Sequence, residues 1–476
     1  MVFSSLIFLY AFLPLCIIAT RFARTVKIQN IVLLFFSLFF YAWGEPVWVF
    51  LMVATVFGVW LIGLAMERSK SRAAARSWLI LSVVLCLSSL VVFKYSGFIF
   101  ETINNILGTS FPEPSFSLPI GISFYTFQTL TYIIDVYRGE TEVQKKFYNL
   151  MLYVSLFPQL IAGPIVRYSD IAEQIGERRV SFEETAQGVG RFLVGLAKKV
   201  LIANHAAEIV GLTLDSTRLA SLDGLEAWIG ILAFSIQIYF DFSGYSDMAI
   251  GLGHMFGFRF KENFKYPYVA KSVTDFWRRW HISLSTFFRD YVYIPLGGNR
   301  LGLPRQILNM FIVWSLTGLW HGAAWNFVLW GIYYFVLLTI EKLFLLRLLE
   351  RLPGIFGHVY TWATFILGWV FFKMESMSGI GTLLQRMFQS RSSFVTNRGV
   401  VLLQNHLIFI VIAFALAMPL LPWLRSKKPV QRLMKNMKKR EPLFGIYSSI
   451  VYLGLLFFST MSLVASGFNP FLYFRF

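Results

Sequence analysis

Charge is scarce in this chain. Lys, Arg, Asp and Glu make up 14% of its 476 residues, where an ordinary soluble domain carries about 25%. With 57% hydrophobic residues and a mean hydropathy of +0.62, a soluble fold is excluded and a polytopic membrane protein is left. Cysteine is almost missing: Cys16 and Cys86 both lie in apolar runs. They offer neither a disulfide framework nor a Cys/His metal spacing, so no metal is expected. Acids are fewer than bases, 25 against 43, giving a formal net charge of +18. In a soluble protein that excess would suggest nucleic acid. Here no RNA- or DNA-binding motif is present, and the bases fall in short loops between apolar runs, the positive-inside pattern. Gly-x-Ser-x-Gly, Walker and kinase patterns are absent too, so any serine-hydrolase step belongs to another protein. No internal repeat is visible, which counts against a transporter of inverted halves.

What is present is a series of apolar stretches. A span needs ~20 apolar residues, and the candidates are 3–20, 30–43, 47–66, 78–100, 118–136, 147–166, 226–256, 307–322, 325–341, 355–373, 404–424 and 443–467. Several are short or carry Gly and Pro, as re-entrant segments do. Such backbone is tolerated at depth only where it is buried in protein or lines a cavity. The stretch 188–212 carries Arg191, Lys198, Lys199 and His205 and is expected at the interface or partly embedded. Met1 to Thr20 lacks a basic n-region and reads as a retained first span, not a signal peptide. Arg21, Arg24 and Lys27, then Arg68, Lys70, Arg72 and Arg76, mark cytoplasmic loops, and Gly44-Glu45-Pro46 an external turn. The segment 425–440 holds eight bases and no acid, so it is expected in the cytoplasm and both termini outside. Loops 167–187 and 374–403 are basic as well, which leaves the alternation between them open.

Two regions carry candidate chemistry. Residues 259–305 hold nine bases against Glu262, Asp275 and Asp290, interleaved with Phe276, Trp277, Trp280, Phe287, Phe288, Tyr291 and Tyr293. That mixture suits helices at headgroup level facing the cytoplasm. From Gln306 to Ile340, 35 residues contain no Lys, Arg, Asp or Glu and one imidazole, His321, within Gly318-Leu319-Trp320-His321-Gly322. As one helix they would be ~50 Å long against a ~30 Å hydrocarbon core. A break at Gly318 and Gly322 is therefore expected. It places His321 near the tip of a hairpin whose two ends, at Arg305 and Lys342, return to the cytoplasmic side.

An ionisable group at that depth is a functional-site hypothesis. Burial keeps the imidazole neutral, so His321 can accept a hydroxyl proton as a general base; alternatively it bonds a carbonyl across helices. His281, in Arg278-Arg279-Trp280-His281, is either a second base or substrate-orienting group, or a helix-end hydrogen-bonding residue. His205, His254, His358 and His406 have no supporting context. Asp241 and Asp247 lie in an apolar run and are expected to pair with Arg or His from 259–305, or to form a proton path. Gly297-Gly298-Asn299-Arg300 lacks phosphate-loop spacing and reads as a turn.

Taken together, these stretches resemble the membrane-bound O-acyltransferase (MBOAT) superfamily, specifically its bacterial alginate O-acetylation type. The resemblance runs nearly end to end. It is carried by Met1-Val2-Phe3-Ser4-Ser5, Leu118 to Tyr125, Tyr132 to Gly139, Pro158 to Pro164, Phe240 to Ala249, Phe276 to Asn299 and Gly318 to Gly322. It implies one all-α MBOAT domain over 1–476: a ring of about 11 transmembrane helices, with re-entrant and interfacial helices, around a central funnel. It implies that His321 is the catalytic histidine and His281 the family's second one. The donor is expected to be cytoplasmic acetyl-CoA, a substrate and not a bound cofactor. Arg278, Arg279 and Arg289 are candidates to neutralise its phosphates, although headgroup contact would explain them too, and Trp320 and Asn326 are further donor-binding candidates. The acetyl group is expected to cross the inner membrane to a periplasmic SGNH-type partner that esterifies a polysaccharide. The tail 468–476, ending Phe471-Leu472-Tyr473-Phe474-Arg475-Phe476, resembles aromatic tails of this pathway type. Tyr473 is either an acyl carrier or an interfacial anchor. D-alanyl transfer from a carrier protein, a transporter with Asp241 and Asp247 on an ion path, and a non-catalytic scaffold are the competing readings.

Overall fold

The computed structural model describes residues 1–161, 163–388, 394–427, 431, 441–465 and 471–472. Among them every regular element is a helix, mainly α with short π and 3-10 turns, and no strand occurs. Hydroxyl caps start several helices: Thr25 accepts from Ile28 N–H at 3.3 Å, Ser71 from Ala74 N–H at 3.2 Å and Thr396 from Gly399 N–H at 3.4 Å. Each such cap satisfies an amide that has no partner inside its own helix.

The chain divides into two compact units. The first contains residues 1–192 and 245–262. Here α1 (Val26–Ala42) packs on α5 (Phe147–Ser155), and α2 (Trp48–Glu67) and α3 (Arg72–Leu107) pack on α4 (Ile122–Arg138). Phe3, Phe8, Phe40 and Phe157 are fully buried together. Helix α6 (Phe182–Ala197) brings Arg191 to Asp247, 2.6 Å away, and to Glu262 at 2.6 Å.

The second unit contains residues 193–244 and 263–475. Helix α7 (Gly224–Phe256) gives it residues 224–244. It continues through α8 (Val273–Trp277), α9 (Ile282–Phe288), α10 (Leu303–His321), α11 (Trp325–Ile340), α12 (Gly354–Lys373), α13 (Asn397–Ala417) and α14 (Glu441–Ala465). Asp241 lies midway along α7 and pairs with Lys199 at 2.8 Å, the two side chains being 2% and 3% exposed. Both aspartates therefore take a cation from the 188–212 stretch, whereas the sequence pointed to 259–305 as one source. A buried carboxylate needs its counter-charge in contact, and the helical run through 182–213 supplies Arg191 and Lys199 there.

Among the described residues, six helices are long and apolar enough to cross a membrane: Trp48–Glu67, Arg72–Leu107, Gly224–Phe256, Gly354–Lys373, Asn397–Ala417 and Gly445–Ala465. The 147–166 stretch is not one helix: α5 stops at Ser155 and Phe157–Leu160 forms a separate turn around Pro158. The 404–424 stretch is cut after Ala417, ahead of Pro419, because proline disfavours helix in the residue before it.

Candidate active site

Helix α10 starts after Gly302 (φ +82°), with proline in its first turn, and ends at His321. Gly322 is extended, and α11 begins three residues past it at Trp325. The break therefore runs over 322–324, starting at Gly322 and not at Gly318. Gly318 has another job. A methyl group on Gly318 would collide with the Phe327 carbonyl, and one on Gly331 with the Trp314 carbonyl. The antiparallel pair is thus closed backbone to backbone at its glycines, as small residues allow between helices. That crossing sets His321 one turn beyond it, at the hairpin tip. His321 is 5% exposed, with ring centroids at 4.9 Å from Trp320, 4.9 Å from Trp330 and 5.1 Å from Phe372.

The second histidine is held differently. Helix α8 is capped twice. Ser272 Oγ accepts from Asp275 N–H at 3.0 Å, and the buried carboxylate of Glu341 accepts from Val273 N–H at 2.6 Å and Thr274 N–H at 2.9 Å. Glu341 directly follows α11, so it ties the histidine-bearing segment to the hairpin. Between α8 and α9 the chain turns at His281, with φ +45° and ψ +55°. Only His281 and Tyr266 are non-glycine residues at positive φ among those described. Left-handed backbone is tolerated by His better than by most side chains, and where it persists it is over-determined by its surroundings. His281 is 1% exposed. Its Nδ1 lies 3.3 Å from Asn263 Oδ1, and its ring meets Phe242 edge-on at 4.6 Å. His281 lies outside the six long apolar helices, and burial pushes its pKa down to about 3, so the ring is neutral at physiological pH.

The two histidines converge. Trp320 stands between them, 5.8 Å from the His281 ring and 4.9 Å from that of His321. Both line one cavity of about 410 Å³ whose other walls include Trp277, Trp314 and Leu338. Three cations face it, Arg278, Arg289 and Lys342, with the hydroxyls of Thr274, Ser285 and Thr317. Apolar walls with a few convergent polar groups make a ligand site.

Other expected residues fall elsewhere. Arg279 bonds Asp275 at 2.8 Å and the Lys265 carbonyl at 3.4 Å, and is not in the cavity wall. Arg289 lines the cavity and also pairs with Asp290 at 2.6 Å. Asn326 donates to the Phe371 carbonyl at 3.2 Å. Tyr473 lies outside the described residues, as does most of the tail. Its neighbours Phe471 and Leu472 are buried: Leu472 N–H donates to Asp241 Oδ2 at 2.9 Å, and Lys199 Nζ is 5.8 Å from the Phe471 ring. Lys342, Glu341 and Asn263 were not anticipated. The first two are the first charges after the 35 uncharged residues, which is a usable signal. Asn263 carries none.

A profile of the membrane-bound O-acyltransferase family matches residues 143–372, which hold both histidines. The probable alginate O-acetylase AlgI of Pseudomonas aeruginosa is 42% identical over 83% of this chain and 76% of its own length. The protein of the same name from Pseudomonas putida is 37% identical over 100% of both chains. The peptidoglycan O-acetyltransferase of Helicobacter pylori is 34% identical over 81% of this chain and 80% of its own. On the similarities to these relatives, which cover four fifths or more of the chain, the chain belongs to the membrane-bound O-acyltransferase family.

Proposed function

We propose that this acyltransferase is a membrane O-acetyltransferase acting in O-acetylation of an extracytoplasmic polysaccharide, alginate or a similar exopolysaccharide. It takes acetyl from cytoplasmic acetyl-CoA and works with a periplasmic SGNH-type partner in the inner membrane, both of its termini periplasmic and its 259–305 segment facing the cytoplasm. One observation carries the reading: two buried histidines and three cations share one mostly apolar cavity. The names of the relatives, which act on alginate and peptidoglycan, support the polysaccharide.

The chemistry follows from the groups present. Arg278, Arg289 and Lys342 neutralise the donor's phosphates, as charge-assisted contacts do. The thioester carbonyl lies near the histidines. His321 takes the proton of the acceptor hydroxyl as its oxygen attacks the carbonyl carbon. The new C–O bond gives a tetrahedral oxyanion. Its collapse breaks the C–S bond, and the leaving thiolate recovers the proton from His321. His281 assists as hydrogen-bond acceptor. The first acceptor is Tyr473, which then passes acetyl to the serine of the partner.

The test uses the purified full chain and acetyl-labelled acetyl-CoA. His321→Ala is expected to lose transfer by about 10³-fold, within the range for a general base; wild-type transfer in that variant overturns the assignment. Tyr473→Phe is expected to abolish polysaccharide acetylation while thioester binding persists, and unchanged acetylation removes the carrier role.

A further inference from the structure

Asn263 is fully buried and stands 18 residues before His281, yet it holds the two residues that follow that residue's left-handed backbone. Its carbonyl accepts from Ile282 N–H at 3.0 Å. Its side-chain Oδ1 accepts from Ser283 N–H at 3.1 Å and from Ser283 Oγ–H at 2.9 Å. The same oxygen is 3.3 Å from His281 Nδ1.

These contacts fix a proton. A backbone N–H can only donate, so the Ser283 amide decides which end of the Asn263 amide faces it: the oxygen. That oxygen can only accept, so an unprotonated Nδ1 beside it would set lone pair against lone pair. Ser283 Oγ is also 3.4 Å from Nδ1; with its own hydrogen given to Asn263 Oδ1 it too can only accept, so Nδ1 carries the hydrogen. In a neutral imidazole the other nitrogen is then the acceptor. Neither Asn263 nor Ser283 lines the cavity, whereas His281 does, so the gripped edge of the ring is the edge away from a reactant. His281 Nε2 is buried and has no hydrogen-bond partner among the described residues.

We propose that Asn263 is a positioning residue that holds His281 as the Nδ1–H tautomer and makes Nε2 its accepting nitrogen in acyl transfer. This rests on the assisting role given to His281 above. It adds an atom-level assignment and a residue that no motif marks.

The first measurement needs no substitution. In the full chain labelled with ¹⁵N-histidine, the His281 signals, assigned by their loss in His281→Gln, are expected to show the proton on Nδ1. A proton on Nε2 overturns the proposal. The second measurement is the pH profile of kcat. Asn263→Asp keeps the acceptor geometry but adds a charge that favours imidazolium, so the acidic limb is expected to move up by about 1 unit or more. Asn263→Ala is expected to lower kcat by about 10²-fold with the KM for acetyl-CoA unchanged. A purely structural asparagine would leave both the pH limb and the ring-nitrogen signature unmoved, and that outcome sinks the proposal even if stability falls. Should His281→Ala retain wild-type transfer, the assisting role fails instead, while the ¹⁵N signature still decides the tautomer.

Discussion

His321 ends a 19-residue helix in ordinary right-handed geometry, with the rings of Trp320, Trp330 and Phe372 around it. His281 sits in a left-handed break between two short helices, with an amide oxygen on one ring nitrogen. Aromatic rings fix where an imidazole sits and keep water from it. An amide oxygen also fixes which nitrogen bears the hydrogen. The hairpin is thus a seat built by volume, and the 263–293 segment a seat built by polarity. The two meet in one cavity because Glu341, at the end of the hairpin, caps the helix that leads to His281.

The comparison breaks most sharply in a double-mutant cycle. His321→Ala should cost about 10³ in transfer and His281→Ala about 10², with the double variant near 10³, because groups acting on one substrate are not additive. A double variant near 10⁵ would mean the two seats work independently. Next is volume: Gly318→Ala or Gly331→Ala pushes a methyl into the opposite helix and should lower stability by about 1–3 kcal/mol, read by thermal melting in detergent. Unchanged melting would show that the hairpin is not closed at its glycines. Glu341→Gln should cost about 1 kcal/mol, the scale of a lost cap, and should reduce transfer through the His281 side. Equal transfer would separate the two seats.

The last effect is a slope. Below about pH 6.5 the unfolded chain protonates its histidine, while folded His281 refuses a proton until about pH 3. Its burial therefore carries no protonation cost above pH 6.5 and destabilises progressively as pH falls through that window, by up to about 1.4 kcal/mol per pH unit. In chemical unfolding, His281→Asn should flatten that part of the wild-type slope. Parallel slopes would mean that the imidazole is not held neutral.

The hairpin was legible in advance because its signal is local. Thirty-five uncharged residues in one helix would outrun a ~30 Å hydrocarbon core, and the glycines offered the break. What length arithmetic could not do was assign the two glycines different jobs: Gly322 ends the helix, while Gly318 meets a partner 13 residues later. The family motifs marked both histidines, but the left-handed turn at His281 has no composition signal, since the residue is not glycine. Asn263 was invisible for the same reason as Lys199 and Arg191. Their partners lie 18, 42 and 56 residues away in sequence, and only the folded chain brings them together. Tyr473 cannot be compared, because it lies outside the described residues.

The glycine crossing also bears on how the chain enters the bilayer during synthesis. Arg305 and Lys342 flank a charge-free pair of helices, and no side chain need be threaded between them where they cross. Such a pair can insert as one closed loop with both basic ends left behind on one side. His321 would then reach its depth on the strength of two missing side chains, before the helices that later surround it have been made.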